Sequence, residues 1–293
     1  MTRIQDLLPN LKLGRYPPGP FNWLTDVPGV LVHTQSVILP KTAHHHEVNT
    51  GVACILPRRD FIDQGCYASV PPYQYCRSRL AIQQGPERGL CNGFLLPIMS
   101  ETLDGYLSDI GAMAVTPEHG FKGGTESSNR VIDLRVGGVS AGQLMRDQVP
   151  SDARTRREDE GIKDGSIIVV LATDAPLHPL QLQRVAKRAA VGFSRVGGWE
   201  SNSSGNILLA FSTSPHVPRD PAFSWKPTVG LSVRVMQDVT SNALFEAAAD
   251  VTEEAIYNAL CCAQDMRGPA ARFVSALDLH KLKSIVLYAE LCM

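Results

Sequence analysis

Hydrophobic and polar positions alternate along this chain with two different periods. Residues 167–172 form an unbroken apolar, largely β-branched run, opened by Gly165-Ser166 and closed by Thr173-Asp174-Ala175-Pro176. Such a run between turn formers predicts a buried strand, with Ser166 as its first residue. Residues 207–212 repeat the pattern after the turn-forming stretch Ser201-Asn202-Ser203-Ser204-Gly205-Asn206. Shorter strands are predicted at 30–32, 36–39, 51–56 and 229–236.

A helical period governs two other segments. In residues 179–190 the apolar Leu180, Leu182, Val185, Ala186 and Ala189 lie close to a 3.6 spacing, while Gln181, Gln183, Arg184, Lys187 and Arg188 supply a wet face. Residues 241–265 carry Leu244, Ala247, Ala248, Val251, Ala255 and Ala259 at helical spacing and predict a long helix. The first thirty residues hold Pro17-Pro18-Gly19-Pro20 and Thr25-Asp26-Val27-Pro28-Gly29, which punctuate strands rather than build a helix. Residues 58–93 show no usable period. The mixed charges of 152–164 predict an exposed linker.

Composition narrows the class. With 293 residues, 44% hydrophobic and 19% charged, the chain can bury the core of one large domain or two small ones. A net charge of −1 gives no basic field for a phosphate backbone, so nucleic acid is not an expected partner. No apolar run reaches the roughly 18 residues of a membrane-spanning helix. The opening Met1-Thr2-Arg3-Ile4-Gln5-Asp6 lacks the basic and apolar regions of a signal peptide, which leads us to expect a cytoplasmic protein with no membrane partner. The seven cysteines (Cys54, Cys66, Cys76, Cys91, Cys261, Cys262 and Cys292) are odd in number and show no CxxC spacing, which suits reduced thiols. His44-His45-His46-Glu47 offers metal-binding side chains, but consecutive residues of an extended chain point to different sides, and a surface loop is the expected reading. Gly120-Phe121-Lys122-Gly123-Gly124-Thr125 lacks the spacing of a phosphate-binding loop. No metal, nucleotide or other cofactor is expected.

The candidate chemistry sits at Gly165-Ser166. If that peptide bond were cut, Ser166 would carry both a hydroxyl nucleophile and a free α-amine, which titrates at about pH 8 and is fitted to act as a general base. The charged stretch before it is where a cleavable bond belongs, although a plain surface loop ahead of a core strand has the same composition.

The residues around this junction resemble a known family. Gly165-Ser166-Ile167-Ile168-Val169-Val170 with Ala172-Thr173-Asp174-Ala175-Pro176, then Asn202-Ser203-Ser204-Gly205-Asn206-Ile207 and Leu209-Ala210-Phe211-Ser212-Thr213, are similar to the L-aminopeptidase/D-esterase family, which includes the β-peptidyl aminopeptidases. Gly19-Pro20-Phe21-Asn22, Thr25-Asp26-Val27-Pro28-Gly29-Val30, Thr50-Gly51-Val52-Ala53-Cys54-Ile55-Leu56-Pro57, Glu101-Thr102-Leu103-Asp104-Gly105-Tyr106, Gly120-Phe121-Lys122-Gly123-Gly124 and Asn242-Ala243-Leu244-Phe245-Glu246-Ala247 agree in the same order.

The resemblance implies an N-terminal-nucleophile-type hydrolase that cuts itself before Ser166. Its fold would be α+β, a four-layer α/β/β/α sandwich of the aminopeptidase/ornithine acetyltransferase type. Residues 1–165 would form the α fragment of one intertwined domain, shortened relative to the family, and 166–293 the β fragment, assembled as a homo-oligomer. Ser204 matches an active-site serine that hydrogen-bonds toward the nucleophile. Asn206 stands where relatives carry an acid; the alternative is that Ser203, Ser204 and Asn206 simply make a tight turn before a strand. Glu101 or Tyr106 would line the substrate pocket, a carboxylate suiting the ammonium of an aminopeptidase substrate, the other reading being a solvated turn with Tyr106 packed in the core. The expected substrates are small peptides and amino-acid amides or esters.

Two departures accompany the resemblance. After Val131 relatives carry a strand ending in an Asn-aromatic-Gly turn whose asparagine helps form the family's oxyanion hole, whereas this chain runs from Arg130-Val131-Ile132 directly into Asp133-Leu134-Arg135-Val136. Asn129 is close but misplaced, and losing one such donor typically costs on the order of 100- to 1000-fold in turnover. At Asn206 an amide can accept a hydrogen bond but holds no negative charge. A non-catalytic homologue with a structural or interaction role is therefore the alternative. An acyltransferase is a third reading, set behind the others because that family uses threonine as nucleophile.

Overall fold

The computed structural model describes residues 2–39, 42, 48–71, 115–116, 121–122, 134–145, 167–198, 206–218, 228, 230–267 and 273–292. In chain order its elements are α1 (Ile4–Leu7), β1 (Leu31–Leu39), β2 (Val48–Leu56), β3 (Gln64–Ser69), β4 (Val115–Thr116), β5 (Phe121–Lys122) and α2 (Ala141–Leu144). There follow β6 (Ile168–Thr173), α3 (Pro179–Ala186), α4 (Ala189–Arg195), β7 (Ile207–Pro218), α5 (Asn242–Cys262), β8 (Met266–Arg267), β9 (Phe273–Val274) and α6 (Leu279–Cys292).

The site is positioned by a three-stranded sheet in the order β3–β7–β6. β7 is the middle strand. It runs parallel to β6, from Ile168 opposite Ile207 to Thr173 opposite Ser212, and antiparallel to β3, with Ala68 opposite Phe211 and Ser69 opposite Ala210. Residues 207–213 of β7 are buried without alternation. That is what a strand covered on both faces requires. On one face Leu208 and Ala210, with Leu171 of β6, pack against Leu182, Val185 and Ala186 of α3 and Phe245 and Ala248 of α5. On the other, Leu209 and Phe211 meet Val30 and Cys66, with the half-buried Leu24, Val27 and Ile55 beside them. A further cluster joins α1 (Ile4, Leu7), the segment around Leu134 and Val136, Ile167, Phe193, Val196, α5 (Ile256, Tyr257, Leu260) and α6 (Leu282, Val286).

Several expectations need correction. The run at 167–172 does form a strand, but only Ile167 and Leu171 are buried and the other residues of the run are half-buried. Residues 30–32 and 36–39 are not separate strands: β1 is continuous and pairs antiparallel with β2, Leu31 facing Leu56 and Leu39 facing Val48. The helix expected over 179–190 breaks at Lys187 and Arg188 into α3 and α4. α3 opens with Pro179 behind a reciprocal cap, in which His178 accepts from the Leu180 amide at 3.3 Å and Gln181 accepts from the His178 amide at 3.0 Å. Leu180 is 65% exposed and takes no part in the core.

Residues 230–236, within the segment read as a strand, are irregular and mostly exposed. They are tied to the loop before α3 and to its first turn, since the Met236 amide donates to Pro176 O at 2.7 Å and Gln181 Nε2 donates to Met236 O at 2.7 Å. α1 appears in the opening segment where no helix was expected, and β3 lies within the stretch that showed no period.

Candidate functional site

Gly165, Ser166, Ser204, Glu101 and Tyr106, together with Asn129 and the His44-His45-His46-Glu47 stretch, lie outside the described residues. Asn206 and the residue directly after the junction, Ile167, are described, and the fold brings them together.

The reason is the parallel register. β6 and β7 start level with each other, so Ile167 and Asn206, each directly before its strand, stand at the same end of the sheet. There the Ile207 amide donates to Ile167 O at 2.8 Å, the first rung of the ladder. The Ile167 amide donates to Asn206 Oδ1 at 2.9 Å, a side-chain bond between residues 39 apart. Ile167 is 2% and Asn206 5% exposed. At that depth an unpartnered N–H would cost about as much as a lost hydrogen bond, so this bond decides where the chain can pass.

The ground beneath Ile167 is apolar and neutral. Tyr257 and Cys261 of α5 share its cluster. Burial is the chief cause that drives both of their pKa values upward, that of the Cys261 thiol to about 12. The Tyr257 hydroxyl donates to Arg135 O at 2.9 Å and lies 3.1 Å from Glu253 Oε1. Glu253 and Asp250 in turn hold Arg195, whose Nη1 is 3.3 Å and 2.6 Å from them, and the Asp250 hydrogen bond leads the effects that raise the guanidinium's pKa.

One buried polar residue gave no signal in the sequence. Arg58 is 5% exposed and spends its guanidinium on the far part of β7, donating to Thr213 O at 2.5 Å and Pro215 O at 3.3 Å and reaching His216 Nδ1 at 2.7 Å. It fastens the segment before β3 to β7, at a distance along the strand from Asn206. Among the described residues no three His, Cys, Asp or Glu side chains come together as a metal site, and no helix is long and apolar enough to cross a membrane.

Comparison with known proteins agrees with this geometry. The model of peptidase family S58 matches residues 22–76 and 120–274, which take in both strand heads. The beta-peptidyl aminopeptidase BapA of Sphingosinicella microcystinivorans is 30% identical over 358 aligned positions, covering 92% of this chain and 88% of that protein. Among solved structures, the L-aminopeptidase D-Ala-esterase/amidase of Ochrobactrum anthropi, described as a prototype for the serine aminopeptidases and a variant of the Ntn hydrolase fold, superposes with a TM-score of 0.73 at 26% identity, covering 99% of both chains. A Burkholderia sp. beta-aminopeptidase gives 0.71 at 26% identity, over 98% of this chain and 99% of that one. The described part has the mixed helix and sheet content of these neighbours, and the chain belongs to peptidase family S58.

Proposed function

We propose that this protein is a self-processing serine aminopeptidase and amidohydrolase whose nucleophile is Ser166. The observation that carries the reading is the side-by-side start of β6 and β7, which anchors Ile167, directly after Ser166, to Asn206, two residues after Ser204, in a chain of a serine aminopeptidase family.

In this reading the Gly165-Ser166 bond is cut first, leaving residues 1–165 and 166–293 as two parts of one domain. Ser166 Oγ then attacks the carbonyl carbon of the substrate's amide or ester, and its own α-amine takes the hydroxyl proton. The tetrahedral species collapses with loss of the leaving amine or alcohol, which carries that proton away. Water, deprotonated by the same amine, hydrolyses the acyl-enzyme and releases the acid. Ser204 hydrogen-bonds toward the nucleophile, Asn206 holds the local chain, and Glu101 and Tyr106 receive the substrate's ammonium end.

Substrates would be small peptides, amino-acid amides or esters, as the names of the relatives suggest for those proteins. We further propose the four-layer α/β/β/α arrangement, a homo-oligomer of processed units, and a cytoplasmic location, which suits the unbridged thiols of Cys54, Cys261 and Cys262.

Intact mass measurement after incubation at neutral pH, with Ser166→Ala alongside, tests this. Two fragments meeting at 165/166, absent from the variant, and release of amine from amino-acid amides are the expected results. A single uncut chain of 31.9 kDa would remove the hydrolase reading and favour a non-catalytic homologue.

A further inference from the structure

One row of side chains on α5 is taken up by residues 2–22. Glu246, Asp250, Glu254, Asn258 and Cys262 stand four apart, on a single ridge of the helix about 24 Å long. Every member of the row is engaged. Glu246 Oε2 lies 3.4 Å from Arg15 Nη1, and Asp250 Oδ2 accepts from the Arg15 amide at 3.2 Å. Asn22 Nδ2 donates to Glu254 Oε1 at 2.5 Å, the Ile4 amide donates to Asn258 Oδ1 at 2.9 Å, and the Cys262 thiol reaches Thr2 O at 3.5 Å.

The segment is also closed on itself. Arg3 Nη1 donates to Phe21 O at 3.0 Å, and the same guanidinium lies 5.1 Å from the centre of the Trp23 ring, so residues 18 apart in sequence meet. At the far end of the loop Gly14 takes φ +74° and passes so close to Asp250 that a Cβ there would stand 2.6 Å from Oδ2. A loop whose ends meet and whose own side chains pack beneath it behaves as a unit.

Those side chains lead to the strand that follows the junction. Ile4, Leu7, Leu8 and Leu11 are buried in the cluster that also holds Ile167, Tyr257, Leu260 and Cys261. Ile167 follows Ser166 directly, so part of its packing is supplied from the other side of the cleavage junction. In an interior packed at crystal-like density, removing several members of a cluster is felt by the rest.

We infer that residues 2–23 form a clip, which seats on the ridge of α5 as a separate unit and positions Ile167 through the apolar cluster they share. Its effect on turnover rests on the assignment of Ser166 above; the seat itself does not.

Residues 15–21 are exposed, and a protease recognition sequence inserted after Pro18 in the full chain lets the loop be cut after folding. In the otherwise wild-type protein the released piece should stay bound through gel filtration, held by the seat alone. With Ile4→Asp in the same chain it should be lost on cutting, since a carboxylate cannot enter that cluster without a partner. The body left behind is wild type. Amide exchange at Ile167 and along β6 should then accelerate about tenfold or more, and kcat on amino-acid p-nitroanilides should fall about fivefold or more with KM little changed. A synthetic peptide of residues 2–18 with the natural sequence should restore both saturably. A piece that leaves the wild-type body, or exchange and kcat unmoved by its loss, overturns the inference. Protection lost throughout the body does so too, because the segment is then general core rather than a clip. If Ile4→Asp does not fold, Ile4→Ala takes its place, with the cut protein diluted until the piece departs, and the same readouts decide. A wild type that never cuts itself and turns over no amide refutes the hydrolase reading, while retention of the piece and exchange at Ile167 still decide the clip.

Discussion

Nη1 of Arg58 lies 2.7 Å from Nδ1 of His216. The same Nδ1 also meets Oε1 of Gln64 at the start of β3, so it stands between a donor and an acceptor. With Thr213 O and Pro215 O on Nη2, a buried cation is surrounded by neutral acceptors and ties the segment before β3 to β7. Arg58→Ala strands two main-chain carbonyls, and we expect a loss of about 2–4 kcal/mol. Arg58→Lys offers one point charge for a fork of three partners and should lose about 1–3 kcal/mol. His216→Ala removes the contacts with Arg58 and Gln64 and should cost about 1–2 kcal/mol. Urea denaturation reads all three, and an Arg58→Ala protein as stable as wild type would show that the carbonyls find other donors.

Gly192 marks the closest approach of α4 to α5. A Cβ there would run into Ala249 O and come within 2.8 Å of Thr252 Cβ. Replacing a mid-helix glycine by alanine ordinarily gains up to about 1 kcal/mol. Here the backbone of α5 is in the way, and Gly192→Ala should destabilise by about 1–3 kcal/mol. Gly230, whose Cβ would meet nothing within 4 Å, is the control, and Gly230→Ala should stay within about 0.5 kcal/mol.

Adjacent cysteines should differ sharply in reactivity. Cys261 is 5% exposed with its thiol pushed up to about 12, chiefly by burial, whereas Cys262 is half-buried. Iodoacetamide at pH 8, followed by peptide mapping, should label Cys262 well before Cys261, because the thiolate is the reactive form. Equal labelling would refute the burial.

The same thiol predicts an alkaline loss of stability. Its folded pKa is raised from 9.0, so its contribution is complete below pH 9.0 and is lost as pH climbs toward about 12. Cys261→Ala should flatten that part of the stability–pH curve. An unchanged slope would place the alkaline sensitivity elsewhere.

Tyr257→Phe removes the hydroxyl that donates to Arg135 O and should cost about 1–2 kcal/mol by thermal or chemical denaturation, since that carbonyl loses its donor while Glu253 keeps Arg195.

Much of this fold was legible because a few segments carry a strong signal. Residues 207–212 read as a strand from continuous apolarity, and burial on two faces is the cause of that continuity. The long helix was legible from its spacing, and α5 spans Asn242–Cys262. Leu180 misled, since an apolar residue at helical spacing can still face water when it sits in the first turn of a short helix. β3 was not legible: it is short, and only Cys66 and Tyr67 with Ala68 give it an apolar centre between polar ends. Residues 229–236 alternate loosely in sequence, yet no strand pairs with 230–236 among the described residues, and pattern alone cannot supply a partner. The family was readable from short motifs around Ser166, Ser204 and Asn206. The bond from Ile167 to Asn206 was not, because a contact across 39 residues follows from strand register rather than from local composition.

The antiparallel pairing of β3 with β7 has a consequence for how the processed protein would live. β3 belongs to the first 165 residues and β7 to the remainder, and the Ile4 amide adds a bond to Asn258 Oδ1 of α5 at 2.9 Å. Scission at the junction therefore opens a loop, and the two polypeptides stay interlocked and should co-elute on gel filtration without denaturant. Once they are unfolded apart, however, regaining the native state becomes a bimolecular encounter instead of a closure within one chain, so recovery would depend on concentration. Durability after processing would then be set by how slowly the interlocked pair comes undone.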